Sequence, residues 1–271
     1  MQCMTRSGLS ADAREQLSRL LRAGDPVLTP QGAAAALSVS RLHAAQHLAR
    51  WAKAGWLARV RRGAYVPVPI ESASADVPLE DPWSVVARLY SPCYIGGWSA
   101  AEHWGLTEQI FRALCVMTTM RPRRRKPLLR GTQLHLHTVR ADKLFGLKTV
   151  WRGQTRVQVS DPAHTLADML ADPQLGGGIR NVADILAVLL REHAADAPKL
   201  IDYSDRLRNG AAFKRLGFIL EAQHGGQRAL IDACRSRLTA GYVKLDPKLP
   251  ADRLVTAWRL WIPAATQGEP R

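Results

Sequence analysis

Residues 41–68 read "RLHAAQHLARWAKAGWLARVRRGAYVPV", and their reading decides the fold. Arg41 to Gly55 suits a helix, and Gly55 is the residue that most readily takes the left-handed position just past a helix C-terminus. Trp56 and Leu57 follow, then Arg59, Arg61 and Arg62, then Gly63 and the alternating run Ala64 to Val68. Two short extended runs around a glycine predict a β-hairpin, because glycine adopts turn conformations closed to other residues. Leu57, Val60 and Ala64 or Tyr65 would hold that hairpin to a core, with the three arginines projecting from it. An edge strand guarded by charge is the plain alternative. It explains one or two arginines better than three at a hairpin tip.

The upstream chain completes the pattern. Residues 10–23, "SADAREQLSRLLRA", place Ala13, Leu17, Leu20 and Leu21 at helical spacing behind Ser10 as N-cap. Gly24-Asp25-Pro26 stops that helix. Thr29-Pro30 opens the short helix "PQGAAAAL", and "SVS" at 38–40 turns into the helix from Arg41. Helix, short helix, tight turn, helix, basic hairpin is the order of a winged helix-turn-helix. On a wheel of about 100° per residue, Ala44, Ala45, Leu48 and Ala52 face inward. Arg41, His43, Gln46, His47, Arg50 and Lys53 are the candidate DNA contacts of this helix. Gln and Arg carry the donors and acceptors that read base edges, and cations meet phosphates. Arg59, Arg61 and Arg62 on the wing would pair with backbone phosphates. A solvated polar face would explain a lone helix; three helices in this order with a basic hairpin favour DNA.

Composition agrees. Lys and Arg number 38 against 23 Asp and Glu, a formal charge of +15 that favours a polyanion, nucleic acid ahead of a membrane surface. A hydrophobic content of 46% supports a packed core and argues against a disordered chain. Cys3, Cys93, Cys115 and Cys234 are far apart and lack Cys-x-x-Cys spacing, so no disulfide framework is expected. The start, "MQCMTRSGLSADAREQL", has no apolar core of a signal peptide, and no stretch approaches about 18 apolar residues. A soluble cytoplasmic protein is expected.

Residues 67–82, "PVPIESASADVPLEDP", look like a linker, with a boundary near residue 75. The expected domains are a winged helix at 1–69, a linker at 70–80 and a second domain at 81–271. The fold class is α+β. The second domain is expected to hold a small β-sheet, in about 81–171, and a C-terminal helical bundle, in about 172–271. Asp81-Pro82 and Asp161-Pro162 each read as an N-cap followed by proline at the first helical position. "SPCYIGGWSAAEHWGL" gives a short extended piece and a short helix. "ALCVMTTM", "TQLHLHTV", "LKTVWRG" and "TRVQVSD" are β-like, with Arg152-Gly153 as a hairpin turn. The tail at 242–263 would add a strand or cover the core with Trp258 and Trp261.

As a whole the sequence resembles the AbiEi-type antitoxins of bacterial type IV toxin–antitoxin systems, which are also transcriptional regulators. The resemblance rests on the order of "RRGAYVPV", "DPWSVVARLY", "YIGGWSAAEHWGL", "VSDPAHTLADML" and "FKRLGFILE" along nearly the whole chain. It implies a protein that binds inverted repeats in its own promoter, represses its operon and counters a partner toxin resembling a nucleotidyltransferase. It places the DNA contacts on His43, Gln46, His47 and Arg50, with Arg59, Arg61 and Arg62 on the wing. The second domain would serve antitoxicity and cooperative repression.

One run stands apart from that pattern. "RPRRRKPLLR" packs Arg121, Arg123, Arg124, Arg125, Lys126 and Arg130 into ten positions without an acid. It reads as an exposed loop, either merely solvated or a second contact with DNA or RNA. His135 and His137 share one strand face, but nothing recognisable completes a metal site, so no metal and no cofactor is expected. "GGG" at 176–178 lacks the Lys-Ser/Thr of a phosphate-binding loop. No catalytic motif is recognisable, so the chain is not read as an enzyme. Asp161 reads as an N-cap, and Asp168 with Asp172 as a pair on a helix surface rather than a nuclease cluster. The rival readings are a regulator unrelated to any toxin and a DNA-cleaving enzyme targeted by its winged helix.

Overall fold

Helix α1, Ala11–Arg22, starts where Ser10 accepts a hydrogen bond from the Ala13 amide, and α2, Pro30–Leu37, where Thr29 does the same for Gly32. Ser38, in the left-handed region at φ 56°, ends α2, and Ser40 caps α3, Arg41–Lys53. Strands β1, Leu57–Arg61, and β2, Ala64–Pro67, form the antiparallel hairpin, with Gly63 at φ +70° in its turn. The computed structural model describes residues 8–69 and 78–264. Cys3, residues 70–77 of the expected linker and the boundary near residue 75 lie outside the described residues.

The remainder is a mixed sheet with helices on both faces. Helix α4, Pro82–Leu89, leads into β3, Cys93–Ile95, then α5, Gly97–His103, and β4, Ala113–Thr118. Strands β5, Leu128–Leu129, β6, Thr132–Thr138, β7, Leu147–Arg152, and β8, Thr155–Ser160, follow. The order is β5-β6-β4-β3-β8-β7, with β6/β4 and β3/β8 parallel and the other pairs antiparallel. The six-stranded sheet is larger than expected. Helices α6, Pro162–Ala171, α7, Ile179–Glu192, α8, Lys199–Leu207, α9, Gly210–Gln223, and α10, Arg228–Arg235, make the helical half. The tail forms a second small sheet, β10-β11-β9, from β9, Val243–Lys244, β10, Arg253–Val255, and β11, Leu260–Ile262.

Alternation along the strands divides the apolar side chains. Tyr94, Cys115 and Met117 face the helical half, packing with Leu166, Met169, Leu186, Leu216 and Trp258. Ile95, Val116, Leu134, Leu136, Val157 and Val159 face the other way and share a cluster with Val85, Val86 and Leu89 of α4 and with Ala58, Ala64 and Val66 of the hairpin. The end of the hairpin packs with this cluster too: Val68 is buried in it, and its amide bonds to the Trp56 carbonyl. Asp25 and Arg88, 3.2 Å apart, add a polar tie between the α1–α2 connection and α4.

Two charged positions contradict their surface reading. Asp168 is buried on α6, where the Tyr94 hydroxyl donates to it at 2.9 Å. Burial raises its pKa, opposed by His164 and the Tyr94 bond. Asp172 instead caps the 3₁₀ turn 173–176 through the Gln174 amide. Asp161 caps α6 at the His164 amide, as its sequence position indicates. Arg215 of α9 is buried and donates to the carbonyls of Leu170, Ala171, Lys244 and Leu245, stapling β9 to the end of α6.

Candidate nucleic-acid interface

The N-terminal helical unit is built on Ala33 and Leu37 of α2 and Ala44, Leu48 and Trp51 of α3, which pack with Leu17, Leu20, Leu28, Leu57 and Tyr65. Leu28 exchanges both backbone hydrogen bonds with Tyr65, so the segment before α2 is pinned to the wing. Trp51, fully buried, replaces Ala45 and Ala52 at the centre of the inward face; those alanines are only half-buried. The wheel angle of Trp51 lies beside those of Ala44 and Leu48, and its size fills the space that alanines leave open.

The opposite face is free. Arg41, His43, Gln46, Arg50 and Lys53 are exposed. His47 is half-buried, its ring 5.4 Å from that of Trp51, so it sits at the flank of the face and not on its crest. Sequence reasoning passed over Leu42, which is 67% exposed. Leu42, Gln46, Ala49 and Lys53 follow helical spacing along the crest, and an exposed leucine near the start of such a helix suits a thymine methyl. Its signal in sequence was an apolar residue out of phase with Ala44 and Leu48.

The three wing arginines divide. Arg59, Arg61 and Arg62 are all exposed but differ in their partners, with the Arg59 Nε donating to the Arg61 carbonyl at 3.3 Å. Arg61 turns back: its guanidinium donates to the Leu89 carbonyl at the end of α4, 3.1 Å away. Val60 beside it is half-buried against the α4 cluster. A β-bulge between Arg59 and Arg61 accompanies this change of direction.

In the second basic group, Arg121, Arg123, Arg124, Arg125 and Lys126 are exposed, on a loop held to β6 by the Leu134 and Leu136 amides, which donate to the carbonyls of Pro127 and Arg125. Arg130 does not join them. It occupies the β5–β6 turn at φ 45° and is half-buried. His135 and His137 share a face, as alternation requires. His135 packs edge-on to Trp98 at 5.1 Å, and burial lowers the pKa of both imidazoles, with Lys126 adding to the effect. Among the described residues no three His, Cys, Asp or Glu side chains are grouped to hold a metal ion. Nor is any described helix long and apolar enough to cross a membrane.

A buried three-helix core, a helix with one bare polar face and a pinned basic hairpin make a winged helix-turn-helix. Residues 15–68 match the family model for "Transcriptional regulator, AbiEi antitoxin". This AbiEi-type segment takes in most of α1, then α2, α3 and the wing, and every candidate contact on α3 and the hairpin lies inside it. The motifs from "DPWSVVARLY" onward lie outside the match. The fold as a whole is similar to the crystal structure of the RV2827C protein from Mycobacterium tuberculosis, at a TM-score of 0.59 and 17% identity, over 96% of this chain and 94% of that one. At that identity the likeness is one of fold. No curated protein matches the chain.

Proposed function

We propose that this chain is the antitoxin of a type IV toxin–antitoxin system, and that it binds inverted repeats in its own promoter, represses its operon and counters a nucleotidyltransferase-like toxin. The observation that carries the reading is the bare polar face of α3 beside a basic wing, inside an AbiEi-type segment. In this reading Leu42 and Gln46 on the crest of α3, with Arg50 beside it, read bases, while Arg59 and Arg62 meet phosphates. The loop Arg121 to Lys126 supplies a second electrostatic contact, in keeping with the net charge of +15. The part from residue 81 onward serves antitoxicity.

Gel-shift titration against promoter and scrambled duplexes, at several salt concentrations, tests the DNA half. Promoter binding should be the tighter, and its logarithm should fall against log salt with a slope of about −0.9 per neutralised phosphate. Equal affinity for both duplexes would sink it. A second reading, a regulator with no toxin, has in its favour that the family match ends at residue 68. Co-expression of the full chain with a nucleotidyltransferase-like toxin, sought among the flanking genes, separates the two, since only an antitoxin restores growth.

A further inference from the structure

Away from the N-terminal helical unit, a cleft of about 430 Å³ opens between the start of α4, the end of α5 and the first residues of β4 and β6. None of its lining residues lies in the AbiEi-type segment. Its walls include Trp83, Phe111 and His103, and its charged groups are Arg112, Arg152 and Glu102. The volume falls within the range of small-ligand pockets, which join apolar or aromatic walls to a few polar groups.

Three features narrow the ligand. The Arg152 guanidinium lies 4.8 Å from the centre of the Trp83 ring, a cation–π contact that holds a forked donor beside an aromatic wall. The Trp83 and His103 rings stand 5.4 Å apart, and burial, with Arg152 nearby, lowers the His103 pKa. Arg112 and Glu102 line the same cleft, both are exposed, and neither side chain bonds to another described residue. Charges that no fold contact uses, set on an aromatic cleft, are available to a ligand. Flat walls select a flat ring. Arginine forks select a phosphate, which they meet bidentately. A carboxylate accepts hydrogen bonds from a ring amino group.

We infer that this cleft binds a nucleotide, its base against Trp83 and Phe111 and its phosphate on Arg112 and Arg152. A free mononucleotide and one residue of a single strand present the same chemistry, and the experiment separates them. Isothermal titration of the full chain with AMP, GMP, adenosine and a short single-stranded oligonucleotide is the measurement. AMP or GMP should bind, and adenosine, lacking the phosphate, should bind at least about tenfold more weakly. Arg112→Glu should lower nucleotide affinity by at least about tenfold, the low end for a charge-assisted contact turned repulsive. Trp83→Leu should do likewise, within what one base–aromatic stack contributes. Arg112 is exposed and unpaired, so its variant keeps the test valid where Trp83→Leu fails to fold. Binding of the oligonucleotide that is tighter than that of AMP and equally sensitive to Arg112 assigns the nucleotide to a strand; the reverse order assigns it to the free pool. The inference is overturned if no probe binds at millimolar concentration, if adenosine equals AMP, or if Arg112→Glu binds as the unaltered chain does. Promoter binding, carried by α3, is scored separately and should be unchanged in Arg112→Glu.

Discussion

Gly217 lies in the middle of α9 against the six-membered ring of Trp258, which is fully buried and whose indole N–H donates to Glu221. A Cβ at position 217 would run into three atoms of that ring. Even the farthest, Cε3, would be 2.8 Å away, well inside the 3.4 Å at which ordinary contact begins. Gly217→Ala therefore sets two effects against each other. Alanine favours the helix by about 0.8–1.0 kcal/mol over glycine. Overpacking costs about 1–3 kcal/mol where the ring can shift, and about 3–5 kcal/mol where a tryptophan is driven from its site. Trp258 is pinned at its indole nitrogen and flanked by Arg235, which leaves it little room to shift. We expect a net loss of roughly 2–4 kcal/mol, the larger cost less the helix gain. Urea unfolding followed by circular dichroism measures it, with Gly217→Ala/Trp258→Leu as the control. The double variant should lose less than the sum of the single variants, because the smaller side chain removes the clash. A Gly217→Ala protein as stable as the unaltered chain, or strictly additive effects, would refute the argument.

Two further outcomes follow from the site. Arg62→Ala should weaken all duplexes alike, reducing the salt slope by about 0.9 and leaving the unfolding midpoint in place. Arg61→Ala should instead lower stability by about 1 kcal/mol, since its partner is the partly buried Leu89 carbonyl; the two variants behaving alike in both assays contradicts that distinction. For pH, the folded chain holds His135 and His137 below the ordinary 6.5, chiefly by burial. The unfolded chain then binds more protons below that value, so this contribution to stability is whole above 6.5 and is lost as pH falls. Asp168, raised by burial, works in the opposite sense, its penalty easing on acidification. His135→Gln/His137→Gln should therefore lose less stability than the unaltered chain between about pH 7.5 and about pH 5 in thermal melts; an unchanged pH slope would tell against it.

What was legible in the sequence follows from range. Caps at Ser10, Thr29, Asp81 and Asp161 act over two or three residues, so spacing reveals them. So do the alternating runs of β4, β6, β7 and β8. Helix α6 was located but its burial was not, because every residue from Pro162 to Leu170 is buried and no polar stripe marks a surface; Asp168 was misplaced for that reason. Strand β5 is two residues long, too short for any pattern. At the site, the exposed cations of α3 were readable from the wheel. The turned-back Arg61 was not, because its partner is twenty-eight residues away, and Leu42 was marked only by its phase, opposite to that of Ala44 and Leu48.

The hairpin that carries the wing contributes Ala58, Ala64 and Val66 to a cluster completed by α4 and the sheet. A transplant of residues 15–68 onto an unrelated body would carry the exposed face of α3 intact and leave those three side chains, with Val68, bare to water. The graft would take its letters from the donor but its carriage from the recipient. Where two copies sit on an inverted repeat, the distance between half-sites that both can straddle would be set by the slope at which α4 and the sheet hold each head. Exchanging heads between relatives should then alter which bases are chosen, while the permitted gap between half-sites travels with the body.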